Sequence, residues 1–85
     1  MKIYAIYWRD AHTFGDWTDI IESKKWAKEE YNKPNISFGQ LIEETKDYIL
    51  IASSLTKSKD LLGDITMIPK SLIVKRRNFN ISEKF

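Results

Sequence analysis

Two β-prone runs with four polar residues between them constrain this chain more than any other feature. Ile36 to Glu43 and Tyr48 to Leu55 flank Glu44, Thr45, Lys46 and Asp47, the pattern of a long antiparallel hairpin. Gly39 stands inside the first run, where glycine otherwise only weakens a strand, and this predicts a bulge or sharp bend there. The second run places Ile49 and Ile51 on one face and Tyr48, Leu50 and Ala52 on the other. Both faces are apolar, so the strand is expected to be central.

The remaining elements arrange themselves around that hairpin. Lys2 to Arg9 alternates Ile3, Ala5 and Tyr7 with Tyr4, Ile6 and Trp8, a second strand with two apolar faces. Asp10 to Asp16 is loop by composition. Asp19, with Glu22 three positions on, resembles a capping box and opens a helix that should end near Tyr31, because Asn32, Lys33 and Pro34 are poor continuations. Its apolar stripe of Ile20, Ala27 and Tyr31 is thin, which places it on the outside or across an open end. After a turn-rich loop from Thr56 to Asp64, Ile65 to Ile68 reads as a short strand, Pro69 to Ser71 as a turn and Leu72 to Arg76 as the closing strand. The expected fold is mainly β, a five-stranded SH3-like or Sm-like small barrel with one short helix between strands 1 and 2. Residues 1–78 form the single domain and 79–85 a C-terminal tail that frays or docks.

Size limits what such a domain can do alone. Eighty-five residues bury only about two thirds of their surface on folding, so packing of two or more copies would supplement the core, and a homo-oligomer is expected. Aromatic residues make up 13% of the chain, and their large rings substitute for core volume. The absence of cysteine excludes a disulfide framework or a thiolate metal site and favours a reducing compartment. No run approaches the ~18 apolar residues of a membrane span, and Met1 to Asp10 lacks a signal-peptide cleavage pattern. A cytoplasmic protein is the expectation.

Few residues nominate themselves for chemistry. Asp10, His12 and Asp16 offer oxygen and imidazole within one loop, too few ligands for a stable metal site, and His12 has no recognisable nucleophile to serve as a base. Ser54 to Lys57 matches the Ser-x-x-Lys string of penicillin-recognising enzymes, but here the serine closes a strand instead of opening a helix. No glycine-rich phosphate loop is present, since Gly15, Gly39 and Gly63 are isolated. Neither an enzyme nor a cofactor is expected. The basic residues Lys70, Lys75, Arg76 and Arg77 have two readings: solvated charge on a closing edge strand, or an anion pocket in which Arg presents its planar fork to phosphate and Trp8, Trp17 or Tyr48 stacks on a base. Glu43, Glu44 and Asp47 at the hairpin tip protect an exposed edge, or serve as a protein-interaction site that mimics phosphates. With a net charge of +2, counterion release is small, so a small nucleotide suits the chain better than a long duplex.

Two resemblances extend this reading. The fragment ITMIPKSLIVK resembles the end of SH3 domains, where Ile-Pro precedes a single 3₁₀ turn and a last strand, although the acidic and aromatic peptide-binding residues of signalling SH3 domains are not in their usual places. More widely, Trp8 and Asp10, then Ser37, Gly39, Leu41 and Glu44, then Asp47, Tyr48, Ile49, Ala52 and Ser54, and finally Ile68, Pro69 and Ile73 resemble a group of short proteins common in phages and prophages. Its members share a W-x-D start, S-x-G-x-L-x-x-E and D-Y-I-x-x-A-x-S strands and an I-P-x-x-x-I end. That resemblance implies a phage or mobile-element context and no particular reaction. The expected function is a non-catalytic accessory binding protein acting on host machinery, in counter-defence by sequestering a nucleotide signal. Two alternatives stand beside it: a module that engages a host protein through its edge strand or acidic tip, and a small barrel that binds RNA or single-stranded DNA weakly.

Overall fold

A computed structural model describes residues 1–56, 58 and 60–81. Five strands, β1 (Lys2–Trp8), β2 (Asn35–Glu44), β3 (Tyr48–Leu55), β4 (Leu62–Pro69) and β5 (Ile73–Asn80), form one antiparallel sheet in the order β4-β3-β2-β1-β5. Helix α1 (Ile20–Tyr31) lies between β1 and β2, and a 3₁₀ turn, Lys70–Leu72, joins β4 to β5. The fold is mainly β, with the hairpin at its centre and the helix where the capping signal placed it.

Alternation decides which side chains are shut away. Tyr4, Ile6 and Trp8 share a face with Leu41, Ile49, Ile51, Ile68 and Ile73, and Ile6, Ile49, Ile51 and Ile68 are fully buried within it. The sheet curls around this inner face, with β4 and β5 left as its two edges. Glu44 and Arg76 stand on strands separated by β1 and well apart along the strand direction by its register, yet their side chains meet at 3.0 Å. Only a sheet curled onto itself brings them together. The Lys70 N–H donates to the Asp47 carbonyl at 2.8 Å and the Arg9 N–H to that of Leu72 at 2.9 Å, which fastens the hairpin tip and the end of β1 to the closing turn.

Gly39 holds its place by space. The ladder between β2 and β3 slips between Leu41 and Glu43, so the bulge falls at Ile42 and not at the glycine. A Cβ on Gly39 would sit 2.7 Å from the Ala52 carbonyl oxygen, so β3 crosses too closely for any side chain.

The C-terminal half carries more strand than composition suggested. β4 begins at Leu62, three residues before the expected Ile65, since Leu62 pairs with Leu55 and Gly63 with Ser54. Asp64 takes a positive φ of 53° at this start. β5 runs on through Asn80, with Asn78, Phe79 and Asn80 pairing to Tyr4, Ile3 and Lys2, and the Ile81 N–H donates to the Met1 carbonyl. The polar Asn-Phe-Asn sequence disguised these residues as tail, because backbone pairing to β1 needs no apolar side chain. Residues 82–85 and Lys57, the last member of the Ser-x-x-Lys string, lie outside the described residues.

Helix α1 buries none of its side chains. Asp19 caps it by accepting the Glu22 N–H at 2.7 Å, and three contacts tether it. Arg9 Nε donates to the Tyr31 carbonyl, with its guanidinium 4.1 Å above the Tyr31 ring. His12 Nδ1 lies 2.9 Å from Glu30 Oε2, and Phe14 meets Trp26 edge to face at 5.6 Å. The helix therefore rides on the outside, and the molecule measures 54 × 25 × 20 Å. Among the described residues no helix is long and apolar enough to cross a membrane.

Candidate functional site

The curl of the sheet gathers charge where the hairpin tip meets the closing strand. Pro69, at φ −58°, ends β4 and turns the chain into the 3₁₀ segment, which sets Lys70 against the tip. Glu44 closes β2 from the other side, and its Oε2 accepts from Lys70 Nζ at 2.8 Å and from Arg76 Nη1 at 3.0 Å. The cleft around them has a volume of about 380 Å³ and is walled by Ile49, Ile73, Val74 and Lys75 as well as these three residues. Two cations pair with one carboxylate, so the cleft is positive, while Lys75, one residue out of phase with Arg76, borders it and turns its side chain to the opposite face. Tyr4 lies beneath the Arg76 guanidinium at 6.0 Å, and Tyr7 beneath the Lys75 ammonium at 5.6 Å, distances within reach of cation–π attraction.

Glu44 orients the site. The Lys70 hydrogen bond, and then that of Arg76, hold its carboxyl below the ordinary 4.5, so it is ionised at neutral pH and fixes two cationic side chains that would otherwise be free to move. Arg76 has five donor hydrogens and Lys70 three, and Glu44 takes one from each. Several donors therefore remain for a second anion.

A pH prediction follows from this arrangement. A carboxyl whose folded value is depressed adds stability that is present above its unfolded value and lost as pH falls through the folded one. Glu30 is depressed in the same direction by His12 first and then by Lys33. Below about pH 4.5 the wild-type urea midpoint should therefore fall steadily. Glu44→Gln should lower the midpoint at pH 7, where Lys70 and Arg76 then repel without a counter-charge, and should show a shallower acid decline. Equal slopes for the two proteins would deny Glu44 this role.

The other nominated residues take separate places. Trp8 is half-buried against the core, and its Nε1–H donates to Ser37 Oγ at 2.9 Å. Trp17 stands just before α1, 98% exposed. Tyr48 donates its hydroxyl to Glu43 Oε1 at 2.6 Å, and this bond raises its phenol above the ordinary range. Arg77 pairs with Ala5 in the ladder, one residue out of phase with Arg76, and so points to the opposite face. Asp47 accepts the Lys70 N–H through its backbone carbonyl. The three tip acids thus part company: Glu43 belongs to Tyr48, Glu44 to the cleft and Asp47 to the closing turn.

Tyr4 and Glu44, beside Arg76, and Tyr7, beneath Lys75 on the opposite face, are the neighbours of these cations that sequence reasoning did not assign to an anion site. The alternation of β1 placed both tyrosines on strand faces, but only the register with β5 shows which cation each one meets.

A second cleft, about 430 Å³, lies between α1 and the segment after β1, and Arg9, His12, Trp26, Glu30, Tyr31 and Leu72 are among its walls. Polar side chains of the cleft and of the loop after β1 already have partners. Asp10 accepts the Ala11 N–H, Asp16 accepts the Trp17 N–H, and His12 pairs with Glu30. Among the described residues no cluster of His, Asp and Glu could hold a metal ion.

Comparison with protein-family models, with curated proteins and with solved structures finds no match.

Proposed function

We propose that this chain is a non-catalytic binding protein that captures a small phosphorylated ligand, a nucleotide or nucleotide-like signal, in the cleft between the hairpin tip and β5. The observation that carries this reading is the convergence of Lys70 and Arg76 on one carboxylate in a cleft that the Lys75 segment of β5 also borders. A phosphate would take the donor hydrogens that Glu44 leaves unused, because the guanidinium fork matches oxyanion geometry and Lys70 adds a point charge. The cleft is of the size that small-molecule ligands occupy. Sequestration needs no more than this: binding without turnover removes a signal from the host enzyme it would activate. The resemblance to short phage and prophage proteins supplies the setting, host machinery as the target.

Calorimetric titration tests the proposal. Cyclic oligonucleotides and ADP-ribose-type ligands form the panel, and the protein should bind at least one of them. Arg76→Ala should then weaken it at least about tenfold, the value of one charge-assisted pair. Loss of Arg77, on the opposite face, should change little. Absence of heat with every member of the panel would remove the nucleotide reading.

A second reading rests on a different observation. β4 and β5 form the two edges of the sheet, and an extended segment of a host protein can add a strand to such an edge. In that case Arg76→Ala would leave capture intact, while a proline within the exposed edge of β4 would abolish it.

A further inference from the structure

Two apolar features of the surface fit one another. The first is a knob at the start of α1, made of Trp17, 98% exposed, with Ile20 at 72% and Ile21 at 78%. A fully solvated indole flanked by two solvated isoleucines is an anchor without a seat, since aromatic side chains of this size ordinarily bury most of their area. The second feature is a groove of about 400 Å³ on the outer face of the sheet, on the side away from the isoleucine core. Ile3, Phe38, Gln40, Ala52, Leu55 and Ile81 form its walls. Gln40 crosses the sheet in line with Ile3 on β1 and Ala52 on β3, and its Oε1 is buried with no hydrogen-bond partner.

We propose that the occupant of this groove is the Trp17 knob of a second copy of the chain, and that two copies exchange knobs about a two-fold axis. Three observations select a second copy. Chemistry is complementary: indole Nε1–H is a donor with no acceptor capacity, and the Gln40 carbonyl lacks a donor. Rotation about the last side-chain bond of Gln40, a torsionally soft one, turns that oxygen toward the groove. Charge is complementary as well. Asp16, Asp19 and Glu22 are the knob's neighbours along the chain, and Arg77 shares the cross-strand row of Ala5 and Phe38 beside the groove.

Area is the third. The knob offers roughly 400 Å² of apolar surface; two knobs per dimer bury roughly 800 Å² before the walls of the two grooves are added, close to the roughly 1,000 Å² that a specific interface needs. The exchange is isologous, each knob meeting the partner's groove, and so it closes at two. A domain of this size, with four fully buried isoleucines at its centre, gains most from a partner that is present whenever the chain itself is.

Sedimentation velocity of the full chain over a concentration series to about 100 µM tests this, with circular dichroism confirming each variant's fold. Wild type should form dimers, and its tryptophan emission should shift to shorter wavelength as Trp17 leaves water. Trp17→Ala removes the knob at a position that supports no core, and Phe38→Glu places a charge in the groove. Each should weaken self-association at least about a hundredfold. Mixing the two variants should restore association in part, because the first keeps an intact groove and the second an intact knob. A wild-type monomer at the highest concentration would overturn the proposal and leave the groove to a different protein. Failure of the mixture to associate would overturn the exchange, as would growth of wild type into assemblies beyond the dimer.

Discussion

Gly39→Ala should lower the stability of this domain by about 2 to 3 kcal/mol and its melting temperature by roughly 10 to 20 °C, given the usual sensitivity of a domain this small. The added methyl would stand 2.7 Å from the Ala52 carbonyl oxygen and 2.9 Å from its carbon. Both are backbone atoms of the central strand, so relief requires β2 and β3 to separate, and the neighbouring pair Gln40 to Ala52 would be strained first. Conformation is not the cause, because no glycine of the chain has a positive φ. Gly15→Ala is the matched control. A Cβ there meets nothing within 4 Å, so the same change of residue should be neutral or slightly stabilising through the unfolded chain. Urea denaturation of the two variants decides the matter. Equal midpoints would mean that β3 yields to the methyl and that Gly39 is not a packing constraint.

Gly39 also shows what could be read in the residues and what could not. Its position inside a strongly β-prone run announced a local departure from a regular strand, and the hairpin, the central place of β3 and the limits of α1 followed from the same alternation and capping arguments. The physical form of the departure was not available, because a bulge and a close crossing both call for a residue without a side chain. Pairing partners decide between them, and pairing is a long-range property. The same limit governed the C-terminal strand: Asn78 and Asn80 carry little strand propensity, yet with Phe79 between them they pair with Lys2 to Tyr4 from the far end of the chain.

The cleft divides along similar lines. Lys70, Lys75, Arg76 and Arg77 were legible as a basic run, and strand alternation separates Arg76 from both Lys75 and Arg77, as the ladder with β1 has it. Trp8, Trp17 and Tyr48 do not join them, because an aromatic residue signals burial or stacking without saying where. Glu44 read as a solvated tip acid, and only the curl of the sheet brings it to the cations of β5.

Ile51→Ala should be the most damaging change in the core. Ile51 is fully buried with Ile6, Ile49 and Ile68, faces Leu41 on β2 and Thr66 on β4, and its truncation removes three carbons from the middle of the curled sheet. Such a change costs about 3 to 4 kcal/mol through lost burial and the cavity left behind. A small domain has little more than that in reserve, so much of the variant population should be unfolded at 37 °C. Ile65→Ala, which removes the same atoms from a side chain 55% exposed on the outer face, should stay within about 0.5 kcal/mol of wild type. The milder Ile51→Val, at about 1 kcal/mol, is the more useful reagent. Ile49 belongs both to this core and to the wall of the cationic cleft, so a ligand that fills the cleft braces the core from one side. A nucleotide at a hundred times its dissociation constant adds about 2.7 kcal/mol to the folded state. It should therefore raise the melting temperature of Ile51→Val above that of unliganded wild type. A ligand that binds wild type by calorimetry but leaves the Ile51→Val transition where it was would not be bound selectively by the folded state, and the cleft would lose its role.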